Sequence, residues 1–273
     1  MRLDRAVYAR GLARSRSHAQ QLIAGGVVLV DGQVETKASH PVAADAIVTL
    51  ADSADGYVSR AAHKLAGAFE RFVPRGLEVD GRTALDAGAS TGGFTQVLLE
   101  RGAVHVTAID VGHGQLAAEI SEDPRVTAVE GFNIRDLTAD SPGAGAQLVD
   151  GDLSFISLTL AIPPLVAAAA PDADFVLLIK PQFELSRSAL DKHGVVTKPE
   201  RRTEAVRRVC DAILAAGLDV VALESSVLPG PSGNVEFFVW ARRTWQARNA
   251  AASPALSPEA LDAAIAALHE GRP

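Results

Sequence analysis

From Thr83 to Arg242 short apolar runs alternate with amphipathic stretches, and that alternation leaves the chain few architectures. The runs Thr83–Ala87, His105–Asp110, Val126–Glu130, Gln147–Gly151, Phe175–Lys180, Asp219–Ser226 and Glu236–Arg242 read as strands. Between them, Gly93–Arg101, Leu116–Ile120, Leu158–Ala169 and Arg202–Ala216 have helical spacing. Strands that are apolar on both faces and separated by helices predict a parallel sheet covered on each side. The last two runs are joined by "VLPGPSGNV", a turn-rich loop, so they are expected to pair antiparallel at an edge. The expected fold class is α/β with a seven-stranded mixed sheet.

The flanks differ. A helix from Leu3 to about Ala9 is expected to end near Gly11, and Ser15 or Ser17 can cap a second helix, His18–Ala24, stopped by Gly25-Gly26. "VVLVDGQVET" alternates around Asp31-Gly32, a strong hairpin signal, and "AIVTL" supplies one more strand. The polar "ADSADG" (Ala51–Gly56) is the best boundary. It divides the chain into a small α/β head (1–52), a linker (53–59) and a body (60–246), followed by a loose segment and a helix within 247–273. That last helix takes Ser257 as its cap and Pro258 in its first turn. "SRAAHKLAGAFERF", which opens the body, is helical, with Ala62, Leu65, Ala66 and Phe69 on one face.

Charge separates head from body. Net charge is −7, yet residues 1–30 hold Arg2, Arg5, Arg10, Arg14 and Arg16 against Asp4 alone. The head is thus about +4 on an acidic body, and a basic head can bind a polyanion despite the overall balance. The longest apolar stretch, Leu158–Ala170, is broken by Pro163-Pro164 and falls short of the roughly 20 residues that span a bilayer. The N-terminus lacks the apolar core of a signal peptide. The single Cys210 cannot form an internal disulfide and reads as core filler, and no Cys/His group has zinc-ligand spacing. A cytoplasmic, metal-independent protein with no membrane partner is expected.

"LDAGASTGGFTQVLLERG" (Leu85–Gly102) puts glycines where a strand turns into a helix, which makes room for a ligand. A phosphate-cradling loop needs lysine after its last glycine, where Phe94 stands. A dinucleotide turn wants a second glycine where Ser90 stands, which weakens that reading without removing it. S-adenosylmethionine has no phosphate. Asp86 is placed to meet its ammonium, the Gly88–Gly92 backbone to pass under its methionine arm, and Asp110 to accept both ribose hydroxyls.

Asp152, Lys180 and Glu236 lie at the ends of apolar strands, and Lys64 lies on the helix before the first. Taken singly, Lys64 is an ordinary surface lysine, Glu236 a hairpin-edge charge and Lys180 a solvated strand end. Together they form a Lys/Asp/Lys/Glu set suited to deprotonating a hydroxyl beside a sulfonium. Other acceptors fit less well. Asp152 is followed by Leu153, Ser154 and Phe155, without the Pro-Pro-aromatic run of amine methyltransferases, and Cys210 lies in a helix away from any site as a nucleophile.

These residues resemble the TlyA family, bacterial ribosomal-RNA cytidine 2′-O-methyltransferases once called haemolysins. The resemblance covers nearly the whole chain through "GLARSRSHAQQLI", "YVSRAAHKL", "LDAGASTGGFT", "DVGHGQL", "DLSFISL", "LIKPQFE" and "GPSGNVEFFVW". It implies a class I, Rossmann-like methyltransferase of the RrmJ/FtsJ type preceded by an S4-type RNA-binding domain. It further implies catalysis by Lys64, Asp152, Lys180 and Glu236, with Lys180 engaging the ribose 2′-hydroxyl. S-adenosylmethionine would be held by Asp86, Gly88, Ser90, Gly92 and Asp110, with Asn133 on the adenine. In the head, Arg2, Arg14, Arg16, His18 and Lys37, with Arg60 beyond the linker, would contact phosphates of ribosomal RNA or of ribosomal subunits. The linker departs from mycobacterial relatives, reading Asp55-Gly56-Tyr57-Val58 where they have Arg-Ala-Trp-Val. A non-catalytic RNA-binding assembly factor and a haemolysin are the competing classes.

Overall fold

A computed structural model describes residues 1–13, 16–43, 45–50, 56–243 and 254–268, with only the backbone of Ser17, His18 and Gln21. Expectations at Arg14, at Ser15, at 51–55, at 244–253 and at 269–273 lie outside the described residues. The chain divides into two compact units, Met1–Ala62 and His63–Pro273.

In the first unit, helices α1 (Leu3–Ala9) and α2 (Arg16–Ala24) precede strands β1 (Val28–Val30), β2 (Gln33–Val34) and β3 (Val48–Leu50). The strands form an antiparallel sheet in the order β2-β1-β3. The expected hairpin is present: Asp31 (φ 51°) and Gly32 (φ 81°) both take the left-handed conformation that a tight two-residue turn requires. Leu3, Val7, Ala19, Ile23 and Val28 form the core. Helix α2 starts at Arg16, two residues before the expected His18.

The second unit contains α3 (Ala61–Phe72, its first two residues falling before the division), β4 (Thr83–Ala87), α4 (Gly93–Glu100), β5 (His105–Asp110), α5 (Ala118–Ser121), β6 (Val126–Glu130) and β7 (Leu148–Gly151). It continues with α6 (Leu158–Ala168), β8 (Asp174–Ile179), α7 (Pro181–Glu184), α8 (Pro199–Ala215), β9 (Leu218–Ser225), β10 (Phe237–Arg243) and α9 (Pro258–Ala267). Helix α8 begins three residues before the expected Arg202, because Pro199 at its first position has a preset φ and no amide hydrogen to waste. Ser257 caps α9 as expected, its hydroxyl accepting the Ala260 N–H.

The seven strands run β6-β5-β4-β7-β8-β10-β9, with β10 antiparallel to both neighbours. The antiparallel pair is therefore present, but only β9 is an edge strand; β10 is inserted between β9 and the parallel part of the sheet. Its side chains show why such strands read as continuous apolar runs. Phe237, Val239 and Ala241 join the core beside Val206 and Ile213 of α8. The opposite face turns Phe238 towards Phe94 of α4 and Trp240 towards Phe72 of α3, with ring centroids 6.1 and 5.9 Å apart. Cys210 is fully buried in α8, the core filler it was expected to be.

Candidate active site

The parallel strands β4, β5, β7 and β8 end on one side of the sheet, where open α/β folds bind ligands. At the tip of β4, Gly88 has φ +85°, and a Cβ there would sit 3.1 Å from the Asp152 carbonyl oxygen. Only glycine lets the turn pass this close to the end of β7. Ser90 also adopts a positive φ, 49°, although it is not glycine. Its N–H donates to Asp110 Oδ2 at 2.9 Å, while Gly112 N–H donates to Oδ1 at 2.6 Å. The carboxylate is thus fixed at the end of β5 and keeps lone pairs for a diol. Beside it lies a slot lined by Ser90, Ala108, Leu116, Ala128 and Val129, with Asp110, Gln115 and Glu130 as polar groups. Apolar walls with carboxylates placed among them suit an adenosine.

Gln115 and Glu130 were not among the expected site residues. Glu130 ends β6 as Asp110 ends β5, so the strand-end rule could have found it. Asn133 caps a short 3-10 turn, its side-chain oxygen accepting the Arg135 N–H at 3.0 Å, and it does not line the slot.

The four charged residues converge from four elements. Lys64 of α3 donates to Glu236 Oε2 at 2.7 Å, with both side chains almost wholly buried. Lys180, following β8, pairs with Asp152 Oδ1 at 2.5 Å and donates to Ser154 Oγ at 2.8 Å. Gln182 Nε2 reaches Glu236 Oε1 at 3.3 Å. Burial pushes the Asp152 carboxyl up, but the ammonium groups of Lys180 and then Lys64 outweigh it and leave it below the ordinary range. Both lysines therefore act on one carboxylate. Because the Gly88 turn packs against Asp152, the glycine bend and the charged set are contiguous. The loop that carries Ser154 is anchored by buried Glu184, which takes the Ser157 hydroxyl at 2.5 Å and the Leu158 N–H at 2.8 Å.

Asp86 lies deeper than a ligand-facing residue. It is fully buried, and its Oδ2 accepts the Thr95 hydroxyl at 2.6 Å. Its register partner on β7 is Asp150, also fully buried, and the two carboxyls are close enough to share a proton. Burial, more than the Thr95 bond offsets, pushes Asp86 up to about 7. Burial and then Asp86 itself raise Asp150 well above the carboxylate range. Both groups hold protons more tightly folded than unfolded. From the ordinary carboxylate range up to about pH 7 the folded chain therefore binds more protons, and stability falls as pH rises through that window. Asp150→Asn relieves the pair. Thermal unfolding should show a gain on the order of 2 kcal/mol at pH 8 that shrinks towards pH 5; an equal gain at both pH values would count against the shared proton.

In the first unit, Arg2 and Arg16 are half-exposed and both pair with Asp4. Lys37 is exposed and Arg60 half-buried, its Nη1 3.4 Å from where a Gly26 Cβ would be. Arg14 and the His18 side chain lie outside the described residues. Among the described residues no helix is long and apolar enough to cross a membrane, and no group of three or more His, Cys, Asp or Glu is arranged to hold a metal.

A seven-stranded sheet of this order, with a glycine turn beneath an acid-edged slot, defines a class I methyltransferase. The FtsJ-like methyltransferase family matches residues 57–243, and the S4 domain family matches residues 1–48. The chain is 48% identical over 242 residues to the 16S/23S rRNA (cytidine-2′-O)-methyltransferase TlyA of Mycobacterium tuberculosis, covering 88% of this chain and 89% of that one. It is 37% identical over 239 residues to Hemolysin A of Brachyspira hyodysenteriae, covering 87% and 98% of the two chains. A solved hemolysin-named chain from Streptococcus thermophilus superposes with a TM-score of 0.73 at 30% identity, covering 99% of this chain and 96% of that one. The chain belongs to the TlyA family of S4-containing, FtsJ-like methyltransferases.

Proposed function

We propose that this protein transfers a methyl group from S-adenosylmethionine to the 2′-oxygen of a cytidine in ribosomal RNA, as its mycobacterial relative is named for doing. The observation that carries the reading is Lys180 Nζ, held between Asp152 and Ser154 at the strand ends beside the Gly88 turn. The S4-type head (1–52) binds RNA through Arg2, Arg14, Arg16, His18 and Lys37, with Arg60 beyond the linker, and the body (60–246) carries the chemistry. A ribosomal substrate implies work in the cytoplasm.

The cofactor fits the residues present: Asp110 for the ribose diol, the slot between Leu116 and Val129 for the adenine, and Gly88, Ser90 and Gly92 for the methionine arm. When bound, S-adenosylmethionine supplies an electrophilic methyl group on a sulfonium, which leaves as a neutral thioether. Lys180 Nζ holds the 2′-hydroxyl in line for attack. As the new oxygen–carbon bond forms, the hydroxyl proton passes to Lys180, which hands one of its own to Asp152. Lys64, with Lys180 itself, keeps Asp152 ionised beforehand, and Glu236 fixes the position of Lys64. The target base must leave its stack for the sugar to reach a site at the strand ends.

The test is methyl transfer from tritiated S-adenosylmethionine into small and large ribosomal subunits, together with a map of 2′-O-methyl marks in cells with and without this protein. Label on a cytidine ribose that disappears with the protein is the expected result, and it also identifies the subunit. Binding without label would make the chain an assembly factor instead.

A further inference from the structure

We infer that Asp4 is a positioning residue for RNA binding: it holds Arg2 and Arg16 together as a two-guanidinium clamp for one RNA phosphate. The inference rests on the RNA-binding reading of the head.

Asp4, in the first turn of α1, is fully buried. Its Oδ1 accepts Arg2 Nε at 3.1 Å and the Arg5 backbone N–H at 3.0 Å. Its Oδ2 accepts Arg16 Nε at 2.9 Å, Gln20 Nε2 at 3.0 Å and Arg2 Nη2 at 3.3 Å. These five bonds, with Arg16 Nη2 also 2.9 Å from Oδ2, converge on one carboxylate. The Arg2 bond, helped by Gln20 and Arg16 and opposed by burial, holds its carboxyl far below the usual range.

A single arginine would neutralise Asp4. The second leaves this cluster with one net positive charge, and both guanidiniums stay about half-exposed, with side-chain accessibilities of 47% and 46%. Each turns its Nε edge and Nη2 to Asp4. Nη1 of each is not among the atoms bonded to Asp4, and the half-exposed side chains keep an outer edge towards solvent. Two guanidiniums tied to one carboxylate lie next to each other, and paired guanidinium N–H groups are what phosphate oxygens accept from best. An arginine already held by its neighbour loses less freedom on binding than one waving in solvent.

The sign of one substitution separates this from the alternatives. Asp4→Asn makes the head one unit more positive, and charge alone would then tighten binding to a polyanion. Loss of positioning should loosen it. The substrate is ribosomal subunits from cells lacking this protein, with subunit concentration varied in steady-state methyl transfer by the full chain. The expected result for Asp4→Asn is a KM for subunits raised about tenfold, with kcat and donor affinity unchanged and the head still folded by circular dichroism. In an Arg2→Ala/Arg16→Ala background, Asp4→Asn should add no further loss. A folded Asp4→Asn that binds subunits as tightly as the parent, or more tightly, overturns the proposal. If Asp4→Asn fails to fold, the same cycle is run with Asp4→Glu, which keeps the anion but shifts both guanidiniums outward by one methylene; an unchanged KM there overturns it equally. If Arg2→Ala/Arg16→Ala itself leaves KM unaltered, the RNA-binding reading of this face falls, a result distinct from failure of Asp4 alone.

Discussion

Lys180→Ala should lower the methyl-transfer rate by about a thousandfold while changing donor affinity less than about twofold. The rate loss follows from removing the one group that joins the acceptor oxygen to Asp152, and a positioned acid–base residue is typically worth 10²–10⁴ in rate. Donor affinity is spared because Lys180 contacts Asp152 and Ser154, whereas the slot is lined from the turn after β4, from β5 and β6 and from the segment after β5. Single-turnover transfer at saturating donor, alongside calorimetric donor binding, separates the two effects. Near-normal turnover in the variant would remove Lys180 from the chemistry and the Lys180–Asp152 proton route with it.

The opposite pattern is expected at the other end of the site. Asp110→Ala should weaken donor binding about 10- to 100-fold, corresponding to the loss of charge-assisted hydrogen bonds worth roughly 1.5–3 kcal/mol. Two effects combine. The ribose loses its acceptor, and the N–H groups of Ser90 and Gly112 lose theirs. Ser90 is held at φ 49°, a conformation a serine rarely adopts unaided, so the turn itself loosens. Turnover at saturating donor should recover to within a few-fold of the parent. Unchanged affinity by calorimetry would mean that the slot beside Asp110 holds something else.

What the sequence disclosed and what it withheld follow a physical division. Local periodicity placed all seven strands of the large sheet within a residue or two, since β4, β5 and β7 to β10 are largely buried, and β6, half-open at the edge, is a short β-branched run bounded by turn residues. The Asp31-Gly32 hairpin and the Ser257-Pro258 cap were legible because turn and cap chemistry is decided within a few residues. Lys64 and Glu236 are 172 positions apart and no spacing rule joins them; they were grouped as charges beside or at the ends of apolar strands, and the family resemblance pointed to the same four residues. Asp150 was overlooked because in "LVDGD" it reads as one more strand-end acid, and only the register with Asp86 shows that it is a buried partner. Asp86 was expected at the ligand, and the structure sets it beneath the turn. Asp4 stood in the sequence only as the lone acid among five arginines; its bonds to two of them, Arg2 and Arg16, emerge when α1 and α2 pack together.

The place of β10 also bears on how the molecule is made. Strand β9 is synthesised before β10, yet it joins the sheet only through β10. A growing chain that has emerged as far as Ser225 can assemble five parallel strands, but it has nowhere to dock its sixth. Glu236 arrives just ahead of that last strand, so Lys64 waits without its carboxylate until β9 has already been made. The Lys64–Glu236 pair thus closes after the slot beside Asp110 can form, and a chain cut short before β10 would hold the slot without the complete charged set.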